Sequence, residues 1–294
     1  MNTPNLVTEN LTGRTALVTG ANTGIGLVTA RELARAGARV WLACRSKAKA
    51  DEAMATILAA VPQANLAFLQ LDLASLASVR TAATAFLASG EPLHLLVNNA
   101  GLAGMQGLTE DGFEVQFGIN YVGPYLFTRL LLDRIQASAR DLPAGATRIV
   151  HVSSRAHHRS KGIPWDTVRS KTRTTTSIDE YGDSKLANVL FSNALALRLQ
   201  GAGVTSYALH PGVVASDIWR KIPQPFRWLA LQFMLTNDDG ARTTLHCATS
   251  PAAATESGLY YDNCAPKKPS RHALDAALAE TLWQRSAAWV GLAA

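Results

Sequence analysis

The chain has 294 residues, 48% hydrophobic and 17% charged, a composition that can bury a full core and excludes a coiled coil or a disordered tail. The formal net charge is +6, and most of the excess lies in a Ser/Thr-rich segment with one acidic residue, Asp166, and six basic ones: Arg155, Arg159, Lys161, Arg169, Lys171 and Arg173. A nucleic-acid interface needs a basic stripe with stacking aromatic residues, so we expect a solvated loop here and no nucleic-acid partner.

Short apolar runs of strand length alternate with alanine-rich segments of helical length along most of the chain. The predicted strands are 15–19, 39–43, 66–71, 93–97, 148–152 and 204–209, with a seventh near 258–261. The predicted helices are 26–36, 47–60, 75–88, 112–137 and 185–199. Because strand and helix alternate, the sequence predicts a single doubly wound α/β domain over residues 1–294, with a parallel sheet and helices on both of its faces.

The cysteines and the apolar runs indicate where in the cell the protein is expected to lie. The three cysteines, Cys44, Cys247 and Cys264, form no CxxC pair and have no histidine at zinc-ligand spacing, so we expect reduced thiols in a cytoplasmic enzyme and no metal site. The first residues, MNTPNLVTENLTGR, lack the charged and apolar regions of a signal peptide. No apolar run reaches the ~18 residues of a membrane helix, so we expect no membrane span.

A glycine-rich turn follows the first predicted strand. Residues 19–26 read TGANTGIG and lead directly into a helical segment. Glycines at such a turn let backbone amides approach a pyrophosphate at the helix amino terminus, where unpaired N–H groups favour an anion. The spacing G-x3-G-x-G differs from G-x-G-x-x-G, and a plain strand-to-helix turn is the alternative. The residues assigned to the dinucleotide are Gly20, Asn22, Thr23, Gly24, Ile25 and Gly26.

Further motifs follow this turn in a fixed order. They are Asn98-Asn99-Ala100-Gly101 after the fourth strand, Ser153-Ser154 at the end of the fifth, the YxxxK pair Tyr181 and Lys185, and Pro211-Gly212 after the sixth. Together with TGANTGIG, they resemble the short-chain dehydrogenase/reductase family over roughly residues 10–260. LACRS, LDLAS, YGDSKLANVLF and HPGVV are most similar to its retinol dehydrogenase and WW-domain oxidoreductase branch, whose retinoid substrates we do not carry over.

The resemblance implies a fold and a reaction. It implies a Rossmann-like sheet of seven parallel strands in the order 3-2-1-4-5-6-7. It also implies hydride transfer between a nicotinamide cofactor and an alcohol or carbonyl group. Our expectation for partners is a small hydrophobic substrate and a homodimeric or homotetrameric assembly. The alternatives are an NAD-linked alcohol dehydrogenase and a nucleotide-sensing scaffold without turnover. Intact Ser154, Tyr181 and Lys185 argue against the scaffold.

The end of the second strand bears on cofactor preference. By resemblance, NAD-preferring members place an acidic residue there for the adenosine ribose, whereas this chain has Cys44 followed by Arg45. A guanidinium can bind a 2′-phosphate through charge-assisted hydrogen bonds, so we expect NADP(H) to be preferred and NAD(H) to be usable. A surface arginine is the alternative.

The resemblance assigns further cofactor contacts after the later strands. Asp72 and Leu73 would bind the adenine, although Asp72 could instead cap a helix. Asn99, Ala100 and Gly101 match the motif after the fourth strand. The remaining contacts follow the sixth strand and would line the nicotinamide: Pro211, Gly212, Val214 and Ser216.

Tyr181 and Lys185 are four residues apart in a segment of helical period, so both side chains lie on one helix face. A tyrosine is a poor base at neutral pH, and a nearby ammonium is expected to lower its pKa. Tyr181 can then donate a proton to a carbonyl oxygen or remove one from an alcohol. By resemblance, Lys185 also holds the nicotinamide ribose. A surface tyrosine beside a solvated lysine is the alternative.

Two more residues receive catalytic roles from the resemblance. Ser154 matches the serine that polarises the substrate carbonyl, whereas Ser153 would satisfy backbone groups. Asn120 matches an asparagine at a distorted helix that holds a water next to the lysine, and a polar residue at a proline kink is the alternative. The histidines receive no chemical role.

Residues 216–236 include an unusually apolar run containing Trp219, Phe226 and Trp228. By resemblance this is a substrate lid, and an apolar lid implies a hydrophobic carbonyl or alcohol substrate. A core helix, an oligomer contact or a membrane-surface patch are the alternatives. The segment 155–180 is expected to be an insertion between Ser154 and Tyr181.

Overall fold

A computed structural model describes residues 6–7, 9–212 and 235–294. Its strands are β1 (Thr15–Thr19), β2 (Arg39–Cys44), β3 (Asn65–Gln70), β4 (Leu95–Asn98), β5 (Thr147–Val152), β6 (Val204–His210), β7 (Leu259–Asp262) and β8 (Ala265–Pro266). The strands form one sheet in the order β3-β2-β1-β4-β5-β6-β7-β8. Every pairing from β3 to β7 is parallel. The predicted fold class and the order of the first seven strands are therefore confirmed.

The prediction of seven parallel strands omitted an antiparallel edge strand. β8 pairs with β7 through Tyr261 and Pro266. Asn263 and Cys264, between these strands, both have left-handed backbones, with φ of 52° and 60°. Two consecutive residues with positive φ form a tight hairpin turn. The sequence lacks the usual Asn-Gly signal for such a turn, and β8 is too short to form an apolar pattern.

Helices connect the parallel strands and cover both faces. The α-helices are α1 (Gly24–Arg35), α2 (Lys47–Ala60), α3 (Leu76–Ala88), α4 (Val115–Phe117), α5 (Gly123–Ala139), α6 (Ile178–Arg198), α7 (Asn237–Thr249) and α8 (Ala276–Trp289). Short 3-10 helices span Arg155–Arg159, Pro251–Ala253 and Arg271–Leu274. One core lies against α3, α5, α6 and α8, and the other lies against α1, α2 and α7. Because strand side chains alternate, Leu17 enters the first core while Ala16 and Val18 enter the second.

The predicted helix over 112–137 is interrupted. α4 is followed by a π-helical stretch over Gly118–Val122, and only then by α5. Pro124 has no N–H to continue a regular helix, and Gly123 allows close packing, since a methyl group there would lie 2.6 Å from the Leu73 carbonyl oxygen. The distortion contains Asn120, as the sequence predicted.

The helix carrying Tyr181 begins earlier than predicted, at Ile178 rather than at Lys185. Its first turn is polar, and the carboxylate of Glu180 accepts hydrogen bonds from the backbone N–H groups of Arg173 and Thr174. This polarity concealed the helix start in the sequence. Both Tyr181 and Lys185 nevertheless lie on α6, as the YxxxK spacing requires.

Candidate active site

The predicted site residues lie at the carboxyl ends of the parallel strands. The sheet order places β1 beside β4, and the chain winds in opposite directions from these two strands. In open α/β sheets, a crevice forms at such a switch point and binds the ligand. The glycine turn follows β1, the 99–101 segment follows β4, and Ser154 lies two residues beyond β5.

The glycine turn leaves room for an anion at the start of α1. Gly20 and Gly24 have φ of +66° and +57°, conformations that favour glycine. At Gly26, a methyl group would lie 2.3 Å from the Gly20 carbonyl oxygen, so a side chain here would force the turn and helix apart. Thr23 caps α1 without a side-chain hydrogen bond, which leaves amino-terminal N–H groups for a ligand. The turn therefore fits a pyrophosphate.

The segment after β4 is held against this turn. The Thr19 hydroxyl oxygen accepts hydrogen bonds from the N–H groups of Asn99 and Ala100, each at 3.0 Å. The Asn99 amide donates to the Thr19 carbonyl at 2.9 Å. A methyl group at Gly20 would lie 3.0 Å from the Cα atom of Ala100. Asn99 and Ala100 are thus fixed beside the glycine cradle.

The residues assigned to the adenosine end follow β2 and β3. Cys44 is buried at the end of β2, whereas Arg45 is exposed and is followed by Ser46, which caps α2. Burial raises the pKa of the Cys44 thiol, so this position carries no negative charge at neutral pH. Asp72 is partly buried and accepts a hydrogen bond from the N–H of Ala74 at 3.0 Å, while Ser75 caps α3. The carboxylate of Asp72 therefore stabilises a turn, and Leu73 beside it is buried.

The two adjacent serines have different partners. The Ser153 hydroxyl is buried and donates to the Lys185 carbonyl at 2.7 Å, so it satisfies a backbone group, as predicted. Ser154 is partly exposed, and its Oγ accepts a hydrogen bond from the N–H of Ala156 at 3.1 Å. This bond uses an oxygen lone pair and leaves the hydroxyl hydrogen available to a substrate oxygen.

Ser154, Tyr181 and Lys185 come together. A hydrogen bond with Ser154 lowers the pKa of the Tyr181 phenol, but burial has the larger effect and raises it to about 12. The Lys185 Nζ lies 5.5 Å from the centroid of the Tyr181 ring and donates to the Val152 carbonyl at 2.9 Å. Burial lowers the pKa of Lys185 to about 8.

The expected lowering of the Tyr181 pKa by Lys185 is therefore wrong for the protein alone. Partial burial of the phenol disfavours its anion more than the hydrogen bond with Ser154 favours it. With a pKa of about 12, Tyr181 carries its proton at neutral pH. That is the form required to donate a proton to a carbonyl oxygen.

Asn120 is buried in the π-helical stretch and makes three hydrogen bonds. Its Oδ1 accepts from the N–H of Leu102 at 2.8 Å, and its Nδ2 donates to the Leu102 carbonyl and to the Ser184 hydroxyl. A methyl group at Gly101 would lie 3.2 Å from Asn120 Oδ1 and 3.3 Å from Lys185 Nζ. Asn120 and Lys185 thus meet beside Gly101, and the water-holding role of Asn120 stays a prediction.

The residues after β6 are described only in part. Pro211 and Gly212 are partly buried, and Gly212 has a φ of +91°. Val214, Ser216 and most of the predicted lid, including Trp219, lie outside the described residues.

The basic segment is more firmly attached than a solvated loop. Its basic side chains are exposed, as expected, and Arg155 pairs with Asp262 at 2.7 Å. The segment, however, packs against the 104–117 region. The carbonyl of buried Val168 accepts a hydrogen bond from the Glu114 N–H at 2.8 Å, and the Glu114 carboxylate accepts one from the Thr172 hydroxyl at 2.6 Å. The charge pattern revealed the exposed cations but not these anchoring contacts.

One residue of this segment reaches the site and was missed by the sequence analysis. His157 is fully buried, and its Nδ1 lies 2.7 Å from the carbonyl oxygen of Ser154. The neighbouring His158 is exposed. Nothing in the sequence distinguishes these two histidines, because the 3-10 turn that directs one of them inward has no periodic signal.

The described residues contain no group of His, Cys, Asp and Glu side chains arranged to hold a metal ion. None of the helices in the described ranges is both long and apolar enough to cross a membrane.

Comparison with known proteins gives consistent matches. The profile of the short chain dehydrogenase family matches residues 14–225. Human retinol dehydrogenase 12 is 43% identical over 285 residues, covering 96% of this chain and 88% of the human protein. An uncharacterised protein from Mycobacterium paratuberculosis, of solved structure, is 34% identical with a TM-score of 0.75, covering 97% of this chain and 96% of that chain. The NADP complex of Pseudomonas aeruginosa RhlG is 25% identical with a TM-score of 0.69, covering 88% of this chain and 96% of that chain.

These matches confirm the resemblance found in the motifs. The profile spans more than half of the chain, and the human relative aligns with nearly all of it. This chain belongs to the short-chain dehydrogenase/reductase family and is an oxidoreductase that acts on alcohol and carbonyl groups.

Proposed function

We propose that this protein is an NADP(H)-dependent oxidoreductase that interconverts a hydrophobic carbonyl compound and the corresponding alcohol, with Tyr181 as the general acid and base. The observation that carries the proposal is the meeting of Ser154, Tyr181 and Lys185 beside the glycine cradle. A nucleotide-sensing scaffold would need the cradle but not these three side chains.

The three side chains have separate tasks in this proposal. The Ser154 hydroxyl donates to the substrate oxygen and stabilises the negative charge that develops on it. Tyr181 donates its proton to the same oxygen in reduction, or accepts one from the alcohol in oxidation. Lys185 keeps an ammonium near the phenol, and its donors that are not bonded to Val152 can hold the nicotinamide ribose. The bound nicotinamide would supply or accept the hydride.

The protonation state of Tyr181 suits it to donate a proton at neutral pH. Burial raises the pKa of Tyr181 to about 12, so the phenol is a ready proton donor. Oxidation needs the phenolate, which becomes more populated as the pH rises. Lys185, with a pKa lowered to about 8 by burial, loses its charge above that pH.

The preference for NADP(H) rests on Cys44 and Arg45. The Arg45 guanidinium is exposed and can bind a 2′-phosphate, and the buried Cys44 thiol beside it presents no carboxylate to the ribose. The NADP complex of RhlG is compatible with this preference.

A hydrophobic substrate is favoured by two observations. The 216–236 segment is rich in large apolar residues, and the human relative is named for its action on retinol. The proposal stops at this chemical class. We also retain a cytoplasmic location and a homodimeric or homotetrameric assembly as proposals.

The proposed function is tested by following NADPH and NADH absorbance with a panel of aldehydes, ketones and quinones of graded chain length. We expect NADPH-dependent reduction that improves as the apolar chain lengthens, with the alcohol identified as product. Faster turnover with NADH would favour the NAD-linked alternative. Tight NADPH binding without turnover of any carbonyl or alcohol would favour the scaffold.

A further inference from the structure

We propose that His157 is a positioning residue that fixes Ser154 for catalysis; this inference rests on the function proposed above. His157 lies in the 3-10 helix immediately after Ser154 and is fully buried. Its Nδ1 lies 2.7 Å from the Ser154 carbonyl oxygen, and its Nε2 accepts a hydrogen bond from the N–H of Ser270 at 3.0 Å. The imidazole therefore joins the turn carrying Ser154 to a distant part of the chain.

The two contacts determine which nitrogen carries the proton. A backbone N–H can only donate, so Nε2 of His157 must be the acceptor toward Ser270. Nδ1 then carries the hydrogen and donates it to the Ser154 carbonyl. Burial lowers the pKa of His157 to about 4, so the neutral ring with this tautomer persists at physiological pH.

The neighbours of His157 hold the ring in place. The ring contacts Tyr260 edge-to-face, with centroids 4.7 Å apart. Ser270 is itself buried and caps the Arg271–Leu274 turn by accepting a hydrogen bond from the N–H of Ala273. The Ala273 carbonyl in turn accepts a hydrogen bond from Asn193 of α6 at 2.8 Å. His157 thus connects the Ser154 turn, through Ser270, to the helix that carries Tyr181.

Ser154 is held at both its carbonyl and its hydroxyl. The carbonyl accepts from Nδ1 and from the backbone N–H of His157, the latter at 3.1 Å, and Oγ accepts from Ala156. Without the imidazole, the Ser154 carbonyl would keep the hydrogen bond from the backbone N–H of His157 and lose its tie to Ser270. A displacement of about 1 Å in a catalytic group can reduce turnover by about 100-fold, so this anchor has a consequence for the reaction.

Two amide substitutions separate positioning from simple packing. His157→Asn places an amide N–H near the position of Nδ1 and keeps the donor toward Ser154, but it cannot reach Ser270. His157→Gln extends to the position of Nε2 and can bond Ser270, but it loses the donor toward Ser154. Both variants remove the buried ring, so their thermal stabilities are expected to fall by similar amounts. The control is Lys161→Ala, because Lys161 is exposed in the same segment, whereas the His158 ring contacts the His157 ring with centroids 4.1 Å apart.

The experiment measures kcat, KM and NADPH affinity for these variants and for His157→Gln in a Ser154→Ala background. We expect kcat to fall by about 10-fold or more in His157→Gln, to stay within about threefold of the wild type in His157→Asn, and to be unchanged in Lys161→Ala. NADPH affinity is expected to change little. In the Ser154→Ala background, His157→Gln is expected to add no further loss of kcat, because the group being positioned is already absent.

Three results would overturn the proposal. Equal losses of kcat in the Asn and Gln variants, in step with their stability, would assign His157 a packing role. A further full loss in the Ser154→Ala background would show that His157 does not act through Ser154. A wild-type protein without any carbonyl or alcohol turnover would refute the proposed function itself, and the positioning role with it.

Discussion

Ser153 and Ser154 provide a matched pair for testing the site. The same substitution, serine to alanine, should affect mainly stability at one position and mainly turnover at the other. Ser153 donates to the Lys185 carbonyl in a buried position. Ser154 is partly exposed, and its hydroxyl hydrogen is available to a substrate. We therefore expect Ser153→Ala to lose stability and Ser154→Ala to lose turnover.

The sizes of the two effects follow from the contacts. Ser153→Ala removes one neutral buried hydrogen bond, which contributes about 1 kcal/mol, or roughly 2–4 °C in Tm for a protein of this size class. Ser154→Ala removes a donor to the developing oxyanion, which is expected to lower kcat by about 10²–10³-fold. Its hydroxyl oxygen also accepts from Ala156, so a small loss of stability is expected as well.

The assay combines thermal unfolding with steady-state reduction of the best carbonyl substrate. The expected result is a Ser153→Ala protein with a lowered Tm and a nearly normal kcat, and a Ser154→Ala protein with a strongly lowered kcat and a slightly lowered Tm. If Ser153→Ala loses turnover as severely as Ser154→Ala at a temperature where both are folded, the assignment of Ser154 as the substrate-polarising serine is wrong.

Three further predictions concern the cofactor site and the buried histidines. Gly26→Ala places a methyl group 2.3 Å from the Gly20 carbonyl oxygen. Because overpacking costs about 1–3 kcal/mol, NADPH titration should show a Kd raised by about 10-fold or more. An unchanged Kd would show that the turn tolerates a side chain. Arg45→Ala should weaken NADPH by roughly 10- to 150-fold and leave NADH nearly unaffected, whereas equal Kd values for NADPH in both proteins would make Arg45 a surface residue. The free energy of unfolding should fall as the pH falls from about 6.5 to about 4, because histidines bind protons in this window when unfolded but not when buried. Each buried histidine contributes up to about 1.4 kcal/mol per pH unit. A urea midpoint that is the same at pH values near 7 and 5 would contradict this. Burial lowers the pKa of His151 to about 3. It lowers the pKa of three others to about 4: His94, His157 and His210.

The parts of the fold that are periodic in sequence could be predicted. Strands β1 to β7 are short apolar runs, and their predicted ends agree with the structure to within two residues. β8 was missed because a two-residue strand has no period. The start of α6 was missed because its first turn is polar and folds against Thr174.

The site could be predicted where the chemistry depends on spacing along one element. Tyr181 and Lys185 share a helix face, and Ser153 and Ser154 follow one strand, so sequence distance fixes their relation. The role of His157 depends on Ser270, more than a hundred residues away, and such a contact has no sequence signal. The pKa of Tyr181 was misjudged because burial cannot be read from the YxxxK spacing.

The central claim is that Tyr181 transfers the proton in an NADPH-dependent carbonyl reduction, and Tyr181→Phe tests it most directly. The substitution keeps the ring and removes only the hydroxyl, so turnover measured by NADPH absorbance should fall by ~10² or more. The Kd for NADPH, measured by titration of the same protein, should change little. A Tyr181→Phe protein that binds NADPH normally and retains nearly wild-type turnover would contradict the claim.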